Sequence, residues 1–167
     1  MGHKEHKTQS PSIVSCVVVT VSDTRTPETD ASGALIRKLL ADQGHHIVAA
    51  HLIKDEPAEV RKLLDTVTRK PDVQAVIING GTGISKRDST YEAVVGLLEK
   101  RLEGFGELFR YLSYQEIGSA AMMSRAVAGT CRGRIVISIP GSEAAVGLAM
   151  EKLILPELGH LVREVNR

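Results

Sequence analysis

The sequence predicts an α/β protein, a three-layer α/β/α domain with a mostly parallel sheet and an antiparallel edge hairpin. Three observations carry that prediction. Apolar, β-branched runs at 13–21, 47–53 and 73–78 alternate with stretches of helical period. Each parallel crossover needs a helix, and right-handed connections place such helices on both faces of the sheet. Two later strand-like runs, 126–131 and 134–139, flank Arg132-Gly133, which reads as a hairpin turn.

Residues 1–10 are polar and read as a mobile tail in which His3 and His6 are solvated, and residues 11–167 as one domain. The first strand ends in Ser22-Asp23-Thr24, polar groups at the edge where open α/β sheets bind ligands. A helix over 32–43 follows, with Leu35, Ile36, Leu39 and Leu40 on one face and Gly44 as a left-handed cap. After the second strand, Asp55-Glu56-Pro57 opens a helix in which Val60, Leu63, Leu64 and Val67 repeat at helical spacing. The third strand leads into Gly80-Gly81-Thr82-Gly83-Ile84-Ser85-Lys86-Arg87-Asp88, and Ser89-Thr90-Tyr91-Glu92 has the pattern of a capping box opening the next helix. That helix should turn Ala93, Val94, Leu97 and Leu98 inward. Gly104-Phe105-Gly106 reads as a joint, 107–115 as helical and 119–125 as a short helix. Pro140-Gly141-Ser142 precedes a broadly apolar helix over 143–154, with a separate last helix after Pro156.

Composition narrows the function. With 21 Lys+Arg against 20 Asp+Glu, 3% aromatics and no Trp, the chain lacks both the basic patch and the stacking platform of a nucleic-acid binder. Two cysteines make neither a disulfide framework nor a zinc pattern, which fits a reducing cytoplasm. No apolar run approaches the roughly 18 residues of a membrane span, so no membrane is expected as a partner.

The glycine segment carries the chemistry. It is not a dinucleotide fingerprint, because Lys86 stands where the third glycine belongs, and not a P-loop, because Ser85, Lys86 and Arg87 replace Gly-Lys-Ser/Thr. What remains is an anion-binding loop whose N–H groups at Gly80, Gly81, Thr82 and Gly83 cradle phosphate, aided by the positive end of the next helix. A side chain at Gly81 is expected to occupy the phosphate's space. Lys86 and Arg87 supply cations, and Asp88 either holds a phosphate-bound magnesium ion or caps the turn beside Ser89. Asp55 has the position of an N-cap before Pro57, Ser22 and Asp23 that of an Asx-type turn or a ligand contact. Arg125 suits bidentate phosphate contact or simple exposure, and Pro140-Gly141-Ser142 suits a second anion site or a cap.

Ile77-Ile78-Asn79-Gly80-Gly81-Thr82-Gly83 with Asp88, Val21-Ser22-Asp23, Ile53-Lys54-Asp55-Glu56, Gly104-Phe105-Gly106-Glu107 and Ile139-Pro140-Gly141-Ser142 together resemble the MoaB/Mog family of molybdenum cofactor biosynthesis. Chain length and Ile84 after the glycines bring it nearer the MoaB branch. The resemblance implies a molybdopterin-binding domain, a trimer or a hexamer of two trimers. In active members the molybdopterin phosphate attacks the α-phosphorus of ATP in the presence of Mg2+, and a partner protein inserts the metal into the product. It assigns Asp55 and Asp88 as catalytic, magnesium-holding acids. Cofactor contacts fall to Ser22, Asp23, Gly80, Gly81, Thr82, Gly83, Ser119, Arg125, Pro140, Gly141 and Ser142. Asn79 and Ser142 depart from the residues common in the family, which bears on turnover more than on fold, and a pterin-binding, hand-over protein without turnover is the alternative. The resemblance and the apolar residues Phe105, Phe109, Tyr111, Leu112 and Tyr114 together imply a homo-oligomer.

Overall fold

The structure, a computed structural model, describes residues 10–167; the tail through residue 9, with His3 and His6, lies outside the described residues. Strand β1 (Ser15–Val21) is buried along almost its whole length because both its edges and both its faces are covered. Parallel partners flank it, β2 (His46–Ile53) on one side and β3 (Ala75–Asn79) on the other. Beyond β3 lies β6 (Arg134–Ile139), also parallel, then β5 (Val127–Cys131), antiparallel to β6, and the two-residue β4 (Lys100–Arg101), antiparallel to β5. The six-stranded order is therefore β2-β1-β3-β6-β5-β4. The expected hairpin is β5–β6, turned by Arg132 and Gly133 at φ 50° and 73°, the two positive φ values of a type I′ turn. Its outer edge is covered by β4, which two residues of apolar-poor sequence could not announce.

Alternation along the strands splits the interior into two cores. Ala75 and Ile77 face one core, shared with Ile36 and Leu40 of α1 (Ala31–Asp42), Phe109 of α4 (Glu103–Ile117), and Val146, Leu158 and Val162 of the C-terminal helices. Val76 and Ile78 face the other, shared with Val60, Leu64 and Val67 of α2 (Pro57–Thr68) and Ala93 and Val94 of α3 (Thr90–Val95). Helices on both faces of the mixed sheet give the expected three layers.

Several local expectations are corrected. Gly104-Phe105-Gly106 is no joint but the first turn of α4: a Cβ at Gly106 would run into the Ala126 carbonyl, so this glycine lets the helix approach β5 closely. Helix α3 stops at Val95, leaving Leu97 and Leu98 to pack from the turn that follows. Residues Gly118–Met123 form a 3₁₀ helix. Pro156 does not separate two helices; α5 (Glu143–Ala149) continues through a π-helical turn, Met150–Ile154, into α6 (Leu155–Val165). In that turn the Leu155 N–H reaches back to the Met150 carbonyl, which opens the ladder where the proline ring, lacking an N–H, would otherwise crowd it. Phe109 is fully buried and Phe105 packs on the core, while Tyr111 and Tyr114 are exposed as expected and are joined by Leu108, Ile117, Met122 and Met123.

The start of β1 is tied to the end of the α1–β2 turn: the Val14 N–H donates to Nδ1 of His45 at 3.1 Å, so that nitrogen must be unprotonated. Burial holds the His45 pKa below its ordinary value of 6.5. A lowered folded-state pKa means that the unfolded chain binds more protons, so stability is lost as pH falls from 6.5 through the folded value. His51, lowered by burial and by Lys70, adds in the same direction. Urea midpoints should therefore drop between pH 7.5 and pH 5, and His45→Asn, whose amide oxygen can still accept from Val14, should narrow that drop; an unchanged difference would remove His45 from the account.

Candidate functional site

Leaving β1 the chain passes first to β2 on one side and later to β3 on the other, so β1 and β3 bound a topological switch point, where the carboxyl ends of parallel strands open a crevice. A cleft of about 380 Å³ lies there. It is walled by residues that follow β1 (Ser22, Thr24, Arg25), β3 (Gly80 to Gly83) and β6 (Pro140, Gly141), with Asp88 and Met123 on its rim.

The glycines are needed for different reasons. Gly80 sits at φ +101° with the Val21 carbonyl where a Cβ would be, and Gly141 would place a Cβ 3.1 Å from the Gly80 Cα. The three loops therefore touch through bare backbone. Among the described residues the N–H groups of Gly81, Thr82 and Gly83 find no acceptor, while that of Gly80 is used by the Ile139 carbonyl at 3.0 Å. Successive unpaired N–H groups beside a cleft make an anion-binding concavity.

The positive end of α3, expected to add to this, is already occupied. The Gly81 carbonyl accepts from the N–H groups of Thr90 and Tyr91 at 3.1 and 3.4 Å. Asp55, 5% exposed, accepts at Oδ1 from the Ser89 N–H, the Ser89 hydroxyl and the Thr90 hydroxyl, at 3.2, 2.7 and 3.2 Å. Asp55 thus caps α3, 34 residues along the chain, and not α2, whose N-cap is Glu56 without a side-chain bond. The capping box at Ser89 and Glu92 does not form, because the serine hydroxyl turns to Asp55 and Glu92 pairs with Arg125. A Cβ at Gly81, at φ +64°, would strike Thr90 and Asp55 rather than enter the cleft, which corrects the expectation for a side chain there.

Asp88 does border the cleft; its Oδ2 closes the loop by accepting from the Ser85 N–H and hydroxyl at 3.1 and 2.6 Å, and its Oδ1 has no partner among the described residues. Asp55 does not border the cleft, so the two acids form no side-by-side pair there, and the described residues contain no cluster of three or more metal-ligating side chains. Asp23 does not border it either. Its carboxylate takes two bonds from the Arg87 guanidinium, both 3.0 Å, and one from the Asp55 N–H at 3.2 Å, while Arg87 also reaches Glu56 at 3.0 Å. The hydrogen bonds from Arg87 hold the Asp23 carboxyl below its usual range. Arg125 lies behind the loop, donating to the carbonyls of Thr82 and Gly83, pairing with Glu92 and stacking 4.6 Å from the Tyr91 ring centroid.

Ser22 folds the β1 exit by accepting from the N–H groups of Thr24 and Arg25 at 3.2 and 3.1 Å. Ser142 is the N-cap of α5 and accepts from the Ala145 N–H at 3.2 Å, outside the cleft. Ser119 is exposed on the 3₁₀ helix and does not border it either. Thr24, read from the sequence as part of the polar end of β1, borders it, as do Arg25 and Met123, which were not among the expected contacts. The adjacency of Arg25 to Ser22-Asp23 was a usable signal, whereas nothing local marks Met123.

The family described as a probable molybdopterin binding domain matches residues 17–160. The chain belongs to that family. Molybdenum cofactor biosynthesis protein B of Bacillus subtilis is 52% identical over 100% of this chain and 99% of its own length, and that of Halalkalibacterium halodurans 49% over 99% and 98%. A solved structure of a molybdenum cofactor biosynthesis protein B superposes with a TM-score of 0.91 at 52% identity, covering 95% of this chain and 99% of the other. The tungsten cofactor synthesizing protein MoaB of Pyrococcus furiosus superposes at 0.85 with 34% identity, covering 95% and 100%. The expected family membership and fold class both stand. Among the described residues no helix is long and apolar enough to cross a membrane.

Because Asp55 serves three donors at once, Asp55→Ala should cost about 2–3 kcal/mol in urea unfolding, and Asp55→Asn less, since an amide oxygen still accepts. Gly81→Val should destabilise too, through its positive φ and the crowded Thr90. Wild-type stability in Asp55→Ala would remove the carboxylate as the organiser of this loop.

Proposed function

We propose that this chain acts in molybdenum cofactor biosynthesis, binding molybdopterin at the switch-point cleft and adenylylating its terminal phosphate with Mg-ATP. The observation that carries the reading is the run of unpaired N–H groups at Gly81, Thr82 and Gly83 beside a cleft of about 380 Å³. Family membership and relatives named for molybdenum cofactor biosynthesis support the pterin as its ligand. An oxygen of the molybdopterin phosphate forms the new bond to the α-phosphorus of ATP, the bond to the β-phosphate breaks, and pyrophosphate leaves. No side-chain nucleophile is required, so positioning and charge neutralisation by the loop supply the acceleration.

The donor set fits magnesium, which usually takes one or two carboxylates together with substrate phosphates, and Asp88 would hold it through Oδ1 to offset triphosphate charge. Asp55 acts through the loop, by fixing Gly81 and the start of α3. Ser22, Gly141 and Pro140 shape the walls. The product would pass to a partner protein that inserts the metal, in the cytoplasm, where Cys16 and Cys131, both free and buried, stay reduced. One observation favours the second reading, a hand-over protein without turnover: among the described residues a single carboxylate, not two, borders the cleft.

Incubation with molybdopterin, magnesium and α-labelled ATP decides between them; adenylyl-molybdopterin is expected, and its absence with intact pterin binding would leave the hand-over protein. Asp88→Asn should lower single-turnover transfer by roughly 100-fold while leaving pterin affinity within a few-fold, a split that a capping role would not produce.

We also propose a homo-oligomer, trimer or hexamer, that covers Leu108, Tyr111, Tyr114, Ile117 and Met122, since large apolar residues left exposed on one helix and the 3₁₀ turn after it are what an interface would bury. Light scattering at micromolar concentration should give a multiple of the 18.0 kDa chain mass; a monomer mass would remove the assignment.

A further inference from the structure

Four cations lie close to the glycine loop, and three are committed elsewhere or turned away. Arg87 is held by Asp23 and Glu56, and Arg125 by two loop carbonyls and Glu92. Lys86 is exposed at the loop tip and does not border the cleft. Arg25 alone among them does, in a cleft whose one carboxylate among the described residues is Asp88.

We infer that Arg25 is the residue that reads phosphate in this cleft, an inference that rests on the proposed function above. Its placement is fixed at both ends. The backbone N–H is bound by the Ser22 hydroxyl at 3.1 Å, and Nη2 donates to the Gly141 carbonyl at 2.7 Å. That carbonyl also takes the Ser32 hydroxyl at 2.6 Å, so the acceptor itself is immobilised. Nη1 lies 3.7 Å from Oδ1 of Asp30, a long ion pair, and that oxygen also accepts the Gly33 N–H at 2.9 Å as the N-cap of α1. A guanidinium carries five N–H donors in a planar fork, and these contacts leave several of them unused on a side chain 28% exposed. A phosphate resting on the N–H groups of Gly81 to Gly83 would meet the open edge of that fork without any rotamer having to be frozen on binding. Carbonyl and carboxylate behind, phosphate in front, is an arrangement that selects an anion and keeps the arginine from collapsing into the cleft when none is bound.

Inorganic pyrophosphate is the probe, titrated by calorimetry into wild type, Arg25→Gln and Arg25→Lys across a range of salt. The Gln variant should bind roughly 10- to 100-fold more weakly, and its affinity should depend less on salt because a charged contact is gone. The Lys variant should recover part of the affinity at low salt, where charge without the planar fork still counts. A folded Gln variant that binds as wild type, or one whose affinity falls with the wild-type salt dependence intact, would overturn the assignment and leave Arg25 as a loop strut. If the Gln variant does not fold, the Lys variant carries the test: binding equal to wild type at every salt concentration, or a loss as large at low salt as at high salt, would overturn the assignment. Failure of wild type to bind pyrophosphate would overturn the phosphate-site reading itself, a different outcome from either.

Discussion

A buried carboxylate in front of a short helix is the interaction on which the site depends. Helix α3 has six residues, too few to form by itself in water, and its first N–H groups need acceptors. Asp55 and the Gly81 carbonyl supply them, one from the end of β2 and one from the loop that precedes the helix. Holding Gly81 by its carbonyl leaves its N–H and those of the next two residues without an acceptor among the described residues. The helix therefore serves the loop as an anchor and not as a source of field, and the anion-binding character resides in the loop backbone.

Around that anchor the loop is restrained from three sides. Arg125 holds the Thr82 and Gly83 carbonyls from behind, the Arg87–Asp23 pair ties residue 87 to the exit of β1, and Asp88 closes the tip on Ser85. Exposed ion pairs taken singly contribute little, but the bidentate Arg87–Asp23 contact is joined to Glu56 and, through the Asp55 N–H, to the cap of α3. Preorganised donors cost no rearrangement when charge arrives, which is how a site without a nucleophile of its own can accelerate phosphoryl chemistry.

The parallel strands, the layers and the place of the cleft were legible because they follow from periodicity and from where polar and glycine residues interrupt it; the order of the strands was not. Val76 and Ile78 against Ala75 and Ile77 already say that β3 is buried on both faces, and Ser22 and Gly80 mark the strand ends. What could not be read were interactions whose partners are distant in sequence. Asp55 beside Pro57 has the local signature of a cap for its own helix, yet its donors are Ser89 and Thr90. Arg125 suggests an exposed phosphate ligand until Thr82, Gly83 and Glu92 are seen to claim it. Gly106 suggests a break until the Ala126 carbonyl is found against it. In each case a tertiary contact decides between uses that the local sequence leaves equal.

The π-turn at Met150–Ile154 sets the angular phase of the last helix. By opening the ladder to a five-residue spacing it takes up one more residue than an α-turn, so Leu158 and Val162 arrive on the core face although Val146 and Ala149 precede them in a different frame. A chain one residue shorter between 150 and 154 would close that turn into an ordinary α-turn with Leu158 and Val162 still on the core face, because the residue lost is the one the wider turn absorbs. Straightening the turn without losing a residue is what the core forbids: each residue advances a helix by about 100°, and the extra one would carry Leu158 and Val162 towards solvent. The wide turn is thus how this rod carries an added residue without disturbing its buried side chains.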